Sequence, residues 1–187
     1  MIYPQKISSK KGESIITILA IFSVILGIVL YILNRILNPF TPWSAITNAG
    51  IVYIWITVIY SIKWNTNIAS HVLVQMIAIS LLLFYIDNKL GFEPWSIEIG
   101  IPIVLTIANL TMFILALVTY KRYGKYVVYE LFIVIFSMFP VWITNRNDVD
   151  LNAFQMVAIG TSIVSFILSF ILSSKDYYRS LKSSFHM

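Results

Sequence analysis

Residues 15–33 read IITILAIFSVILGIVLYIL, nineteen positions without one charged side chain. As a helix they rise about 28 Å at 1.5 Å per residue, close to a bilayer's hydrocarbon core of about 30 Å. Five further apolar runs follow: Ile46–Ile62, Val72–Ile86, Ile97–Thr119, Val127–Ile143 and Ala153–Ser173. The third is the shortest and is expected to borrow a turn from Asn67–His71. Their Ile and Val content would favour strands in water. In lipid, a helix satisfies its own backbone, and unbroken apolarity excludes the alternation of a barrel wall. The fold class expected is therefore all-α: a polytopic integral membrane protein, a bundle of six transmembrane helices.

Composition agrees with this reading. Of 187 residues 59% are hydrophobic and 11% charged, whereas an ordinary soluble domain carries about 25% charged residues. The net charge of +5 then reflects topology rather than a nucleic-acid partner, and the bilayer is the expected surrounding. Cysteine is absent, which excludes disulfides, thiolate metal sites and cysteine nucleophiles. Lys6, Lys10 and Lys11 precede the first run in the manner of a signal peptide. That run is long for such a segment and meets Asn34-Arg35 with no small-residue cleavage site, so an uncleaved first span is expected.

Orientation follows from the basic residues. One side would hold Lys6, Lys10, Lys11, Lys63, Lys121, Arg122, Lys125, Lys175, Arg179 and Lys182; the other, only Arg35, Lys89 and Arg146. Asp87, Glu93, Glu98, Asp148 and Asp150 fall on the poorer side. Both termini are thus expected in the cytoplasm, with the chain in the cell membrane. The organisation read is a cytoplasmic segment 1–14, a six-helix transmembrane domain 15–173, and a cytoplasmic interfacial segment 174–187. The last places Tyr178, Leu181 and Phe185 opposite Lys175, Arg179 and Lys182, as a short helix lying in the interface would.

The outer loops carry a short repeat. Phe40-Thr41-Pro42-Trp43-Ser44 precedes the second span and Phe92-Glu93-Pro94-Trp95-Ser96 the fourth, with a looser echo at Phe139-Pro140-Val141-Trp142. Two F-x-P-W-S matches at equivalent places fit a duplicated hairpin. Trp at an interface and Pro before a helix are also common without duplication.

Between helices in lipid, close approach depends on small residues. Ala158, Ser162, Ser165, Ser169 and Ser173 form one face of the sixth span, and Ala20, Ser23 and Gly27 one face of the first. Both read as packing seams, against a neighbouring helix, a second copy or a membrane partner. Among polar groups, Glu130 and His71 lie within the spans toward the cytoplasmic side, where ionisable residues are functional candidates. Glu130 is expected to face the bundle interior and to pair with His71, Lys121, Arg122 or Lys125. Gln75, one turn beyond His71, and Asn48, Asn109 and Gln155 are expected to bond between helices, at about 0.6–2 kcal/mol each. Gln75 and Asn109 would line a solute site if they converged with Tyr53 and Trp55.

Enzyme signatures are missing: no H-E-x-x-H, G-x-S-x-G, or phosphate-binding glycine pattern occurs. With two distant histidines and no cysteine, neither a metal nor a cofactor is expected. Two functions from different classes remain. One is a non-enzymatic membrane subunit acting through helix–helix assembly, with itself or with another membrane protein. The alternative is a small-solute binder or transporter, proton-linked through His71 and Glu130.

Tyr3-Pro4, the basic residues before the first span, the helix pattern and the ending Leu181…Phe185-His186-Met187 carry a resemblance. On these the chain resembles a family of uncharacterised bacterial membrane proteins whose members often bear an N-terminal zinc ribbon before six helices. The ribbon's cysteines are absent here, and the resemblance implies no activity. In architecture the chain is also similar to the substrate-binding subunits of energy-coupling-factor vitamin transporters. Those six-helix proteins dock a partner subunit through small-residue patches.

Overall fold

The computed structural model describes residues 10–63, 67–91, 93–119, 127–146 and 151–184. Their regular structure is helical throughout: α1 (Lys10–Leu37), α2 (Trp43–Lys63), α3 (Ile68–Lys89), α4 (Ile101–Val118), α5 (Val127–Arg146) and α6 (Ala153–Ser184). A five-residue π-helical segment, Ser96–Gly100, leads directly into α4. Four stretches are long and apolar enough to cross a membrane: Ser14–Leu37, Trp43–Ile62, Ile68–Lys89 and Ser96–Val118. The apolar parts of α5 and α6, Val128–Pro140 and Ala153–Leu168, are shorter.

Local chemistry sets several boundaries. Asn67 caps α3, its side chain accepting from the Ser70 N–H at 2.9 Å, so the helix starts before its apolar run does. At the C-terminal end Gly91 takes φ 111°, a left-handed turn that frees the chain from the helix axis. Pro140 lies inside α5, which continues to Arg146, so the third Pro-Trp element is part of the helix. The C-terminal segment to Ser184 is continuous with α6 and not a separate helix.

The chain divides into two compact units, Met1–Ile54 and Trp55–Met187. In the first, α1 and the start of α2 approach closely where Gly27 meets Asn48. The Asn48 Nδ2 donates to the Gly27 carbonyl at 3.3 Å, and a Cβ on Gly27 would fall 2.6 Å from Asn48 Oδ1. The first-span stripe is therefore an internal seam at Gly27. Ser23 turns its hydroxyl back to the Ala20 carbonyl at 2.8 Å.

In the second unit α4 is central, packing against α3, α5 and α6. Ile101, Leu105, Ala108, Met112 and Ala116 recur at steps of three and four and are buried, which is one face of a helix. They join Ala69, Met76, Ile97, Ile133 and Ala158 in the core. The opposite face of α4, with Ile103, Ile107, Leu110, Ile114 and Leu117, is exposed. On α6, Ala158, Ser162 and Ser165 are buried against this core. Small side chains there let the helices close on one another. The side chain of Ser169 lies outside the described residues.

Candidate functional site: buried polar braces and a groove

The serines of the two Pro-Trp-Ser loops are held in the same way. Ser44 is buried, and its N–H and hydroxyl both donate to Asn34 Oδ1, at 3.1 and 2.6 Å. Ser96 is buried, and its N–H and hydroxyl both donate to Asp87 Oδ2, at 3.2 and 2.6 Å. Each serine thus ties the start of one helical segment to the last turns of the helix before it. Near each acceptor a basic group lies over a tyrosine one turn earlier. The Arg35 guanidinium carbon is 5.5 Å from the Tyr31 ring and the Lys89 ammonium 5.6 Å from Tyr85. The two loops differ in one respect. Asn34 Nδ2 donates to the Asn38 and Thr41 carbonyls, whereas Asp87 Oδ1 has no hydrogen-bond partner among the described residues. The motif was visible in the sequence. Its acceptors were not, because they stand ten residues before one serine and nine before the other.

A second brace crosses the middle of the larger unit. Asn109 is fully buried on α4, and the two protons of its Nδ2 are shared among Ser162 Oγ at 2.8 Å, the Leu105 carbonyl one turn back at 2.9 Å and Ser137 Oγ at 3.3 Å. Ser137 and Ser162 give their protons to the carbonyls of Ile133 and Ala158, one turn back. Their lone pairs are therefore free to accept, and the carbonyl of Leu105 fixes which end of the amide is nitrogen. Ser165 completes the α4–α6 contact by donating to the Asn109 carbonyl at 3.0 Å. Asn109 Oδ1 has no partner among the described residues.

The third brace follows from Pro102. Proline has no N–H, so the Glu98 carbonyl loses its α-helical donor and the Ile97 carbonyl its π-helical one. The start of α6 supplies both. Asn152 Nδ2 donates to the Glu98 carbonyl at 2.7 Å, and Gln155 Nε2 to the Ile97 carbonyl at 3.5 Å. The same two residues cap α6 reciprocally, the Gln155 N–H to Asn152 Oδ1 at 2.9 Å and the Asn152 N–H to Gln155 Oε1 at 3.1 Å. This is a capping box in which Asn stands for Ser or Thr.

The other site residues read from the sequence are distributed as follows. Glu130 is fully buried on α5; of its expected partners, Lys121, Arg122 and Lys125 lie outside the described residues. His71 meets Tyr60 edge to face, with ring centroids 4.9 Å apart. Gln75 and Thr57 exchange hydrogen bonds at 3.1 and 3.3 Å. Both His71 and Gln75 line a groove of about 260 Å³ between α3 and α4, together with Thr111. Asn109 is turned instead to α5 and α6, so it does not converge with Gln75. Tyr53 and Trp55 are half-buried on α2, on either side of the division between the two units. Among the described residues no cluster of three His, Asp or Glu side chains is placed to hold a metal.

These features define a class: among the described residues the regular structure is all helical, with four stretches long and apolar enough to cross a membrane, and Asn34, Asp87, Asn109, Asn152 and Gln155 join one segment to another. The chain belongs to a family of unknown function, DUF6320, whose model matches residues 3–187. No curated protein and no solved structure matches it.

Proposed function

We propose that the protein is a non-enzymatic subunit of the cell membrane, with six membrane-crossing helices, both termini in the cytoplasm, and a role exercised through assembly with membrane partners. The observation that carries this reading is how the polar residues are used. Asn34, Asp87, Asn109, Asn152 and Gln155 each hold a second segment of the chain, while large apolar residues such as Ile18, Phe22, Ile107, Ile114, Ile135 and Ile167 face outward. Lipid solvates such a surface and water does not. α5 and α6 then cross as well, since 20 and 32 residues reach about 30 and 48 Å at helical rise.

The small-residue seams at Gly27 and at Ser162–Ser165 are filled from within. Assembly would therefore use the aliphatic outer faces. Native mass spectrometry of protein taken from membranes in mild detergent tests the reading. A defined homo-oligomer or a co-purifying membrane protein is expected. A monomer without a protein partner, under conditions that preserve known membrane complexes, would overturn it.

A further inference from the structure

The turn between α1 and α2 combines an uncovered apolar tip with a single cation. Phe40 is 94% exposed, and Ile36 and Leu37 in the last turn of α1 are 71% and 72% exposed. Arg35 is the one charged residue from Ser14 to Ile62, and no Asp or Glu occurs between Glu13 and Asp87. The Arg35 Nε donates to Tyr31 Oη at 3.3 Å, and the guanidinium lies over the Tyr31 ring. Its terminal amino groups have no partner among the described residues, and those are the donors with which a guanidinium clamps a phosphate.

The turn is closed on itself in a way that suits a surface poor in water. The buried Asn34 donates to the Asn38 and Thr41 carbonyls and accepts from Ser44, so backbone groups that would otherwise need water are met from within. Helix length sets the depth. With Ser14, where the apolar stretch begins, at the inner edge of the hydrocarbon, Arg35 stands about 32 Å further along the axis, just past a core of about 30 Å. The exposed surface of α1 also runs unbroken into the turn, since Val24, Ile28 and Ile32 lead one turn at a time to Ile36. Whatever covers the span therefore reaches the tip. A lipid boundary takes both parts of it, the apolar side chains at the acyl level and the guanidinium among the phosphates.

We propose that the α1–α2 turn is a phospholipid anchor, with Ile36, Leu37 and Phe40 entering the acyl boundary and Arg35 clamping a headgroup phosphate. The inference rests on the membrane reading above and deepens it, by assigning one turn a lipid partner of stated chemistry.

The full chain is reconstituted in nanodiscs of phosphatidylglycerol and phosphatidylcholine and spin-labelled in turn at Val24→Cys, Phe40→Cys or Glu93→Cys, all exposed positions. Power saturation then compares collisions with oxygen, which concentrates in the bilayer, and with a nickel chelate confined to water. The oxygen-to-nickel ratio at Phe40→Cys should exceed that at Glu93→Cys about threefold or more, as for side chains at the acyl boundary. In solid-state NMR of the chain labelled at its arginine guanidinium groups, lipid phosphorus should dephase a signal that Arg35→Gln lacks. A Phe40→Cys label as open to nickel as the one at Glu93→Cys, a label shielded from both reagents as under a protein partner, or dephasing unchanged in Arg35→Gln would overturn the anchor. Val24, 62% exposed midway along the span, separates the two readings. A Val24→Cys label open to nickel refutes the membrane reading itself, whereas a lipid-immersed Val24→Cys label with Phe40→Cys in water refutes the anchor alone.

Discussion

Asp87 offers a stringent perturbation, because Asn34 performs the same task in the other loop with a carboxamide. The buried Asp87 Oδ2 accepts two hydrogen bonds from Ser96, and Oδ1 accepts none from the described residues. Asp87→Asn keeps an acceptor for both Ser96 donors and adds an N–H2 where Asn34 uses one. Its stability should stay within about 1 kcal/mol of the parent. Ser96→Ala removes the 2.6 Å bond and leaves the carboxyl with the Ser96 N–H alone, costing about 1–3 kcal/mol. Asp87→Leu orphans both Ser96 donors, at about 1–3 kcal/mol each. For a chain of this length, each kcal/mol corresponds to about 2–4 °C in Tm. Thermal unfolding in detergent, followed by circular dichroism, should rank the variants Asp87→Leu, Ser96→Ala, Asp87→Asn from most to least damaged. If Asp87→Asn is as damaging as Asp87→Leu, the carboxylate's charge holds the loop, and the equivalence with Asn34 is wrong.

Three further outcomes are expected. Asn109→Leu should be close to neutral, because it gives up two interhelical bonds of about 0.6 kcal/mol each yet removes a buried unpartnered oxygen worth about 1–3 kcal/mol; a loss above about 3 kcal/mol by thermal unfolding would contradict the central brace as drawn. Asn152→Ala should cost about 1–3 kcal/mol, since it both uncaps α6 and strands the Glu98 carbonyl that Pro102 leaves without a helical donor; Pro102→Ala in the same background should recover part of that loss. Gly27→Ala should cost about 1 kcal/mol or less, because Asn48 can rotate its amide away at the expense of one long hydrogen bond, whereas Gly27→Leu should destabilise the α1–α2 contact by more; comparing the two Tm values checks this.

The helices were legible because their signal is collective: an apolar run of about twenty residues survives errors at any single position. Each of the six runs lies on one of the six helices, and the Asn67 turn needed by the shortest is present as a cap. The π segment was not legible, since it depends on Pro102 together with donors about fifty residues later in α6. The pairing of Asn34 with Ser44 and Asp87 with Ser96 escaped for a similar reason. The carboxamide and the carboxylate sit in the polar last turns of their helices, beside Arg35 and beside Asn88 and Lys89, where neither residue type nor spacing announces a common role. Convergence of Gln75 with Asn109 was a question of helix rotation, which composition does not encode. Asn109 is turned toward the serines of α5 and α6, whereas Gln75 lies beside Thr57 of α2.

The central claim, six crossings with both ends in the cytoplasm, is tested most directly by single-cysteine labelling. The chain has no cysteine of its own, so each introduced thiol reports alone. In intact cells, an impermeant maleimide should label Thr41→Cys, Glu93→Cys and Asp148→Cys from outside, and Ser184→Cys only after the cells are opened. Labelling of Ser184→Cys from outside, or protection of Asp148→Cys until lysis, would contradict the account.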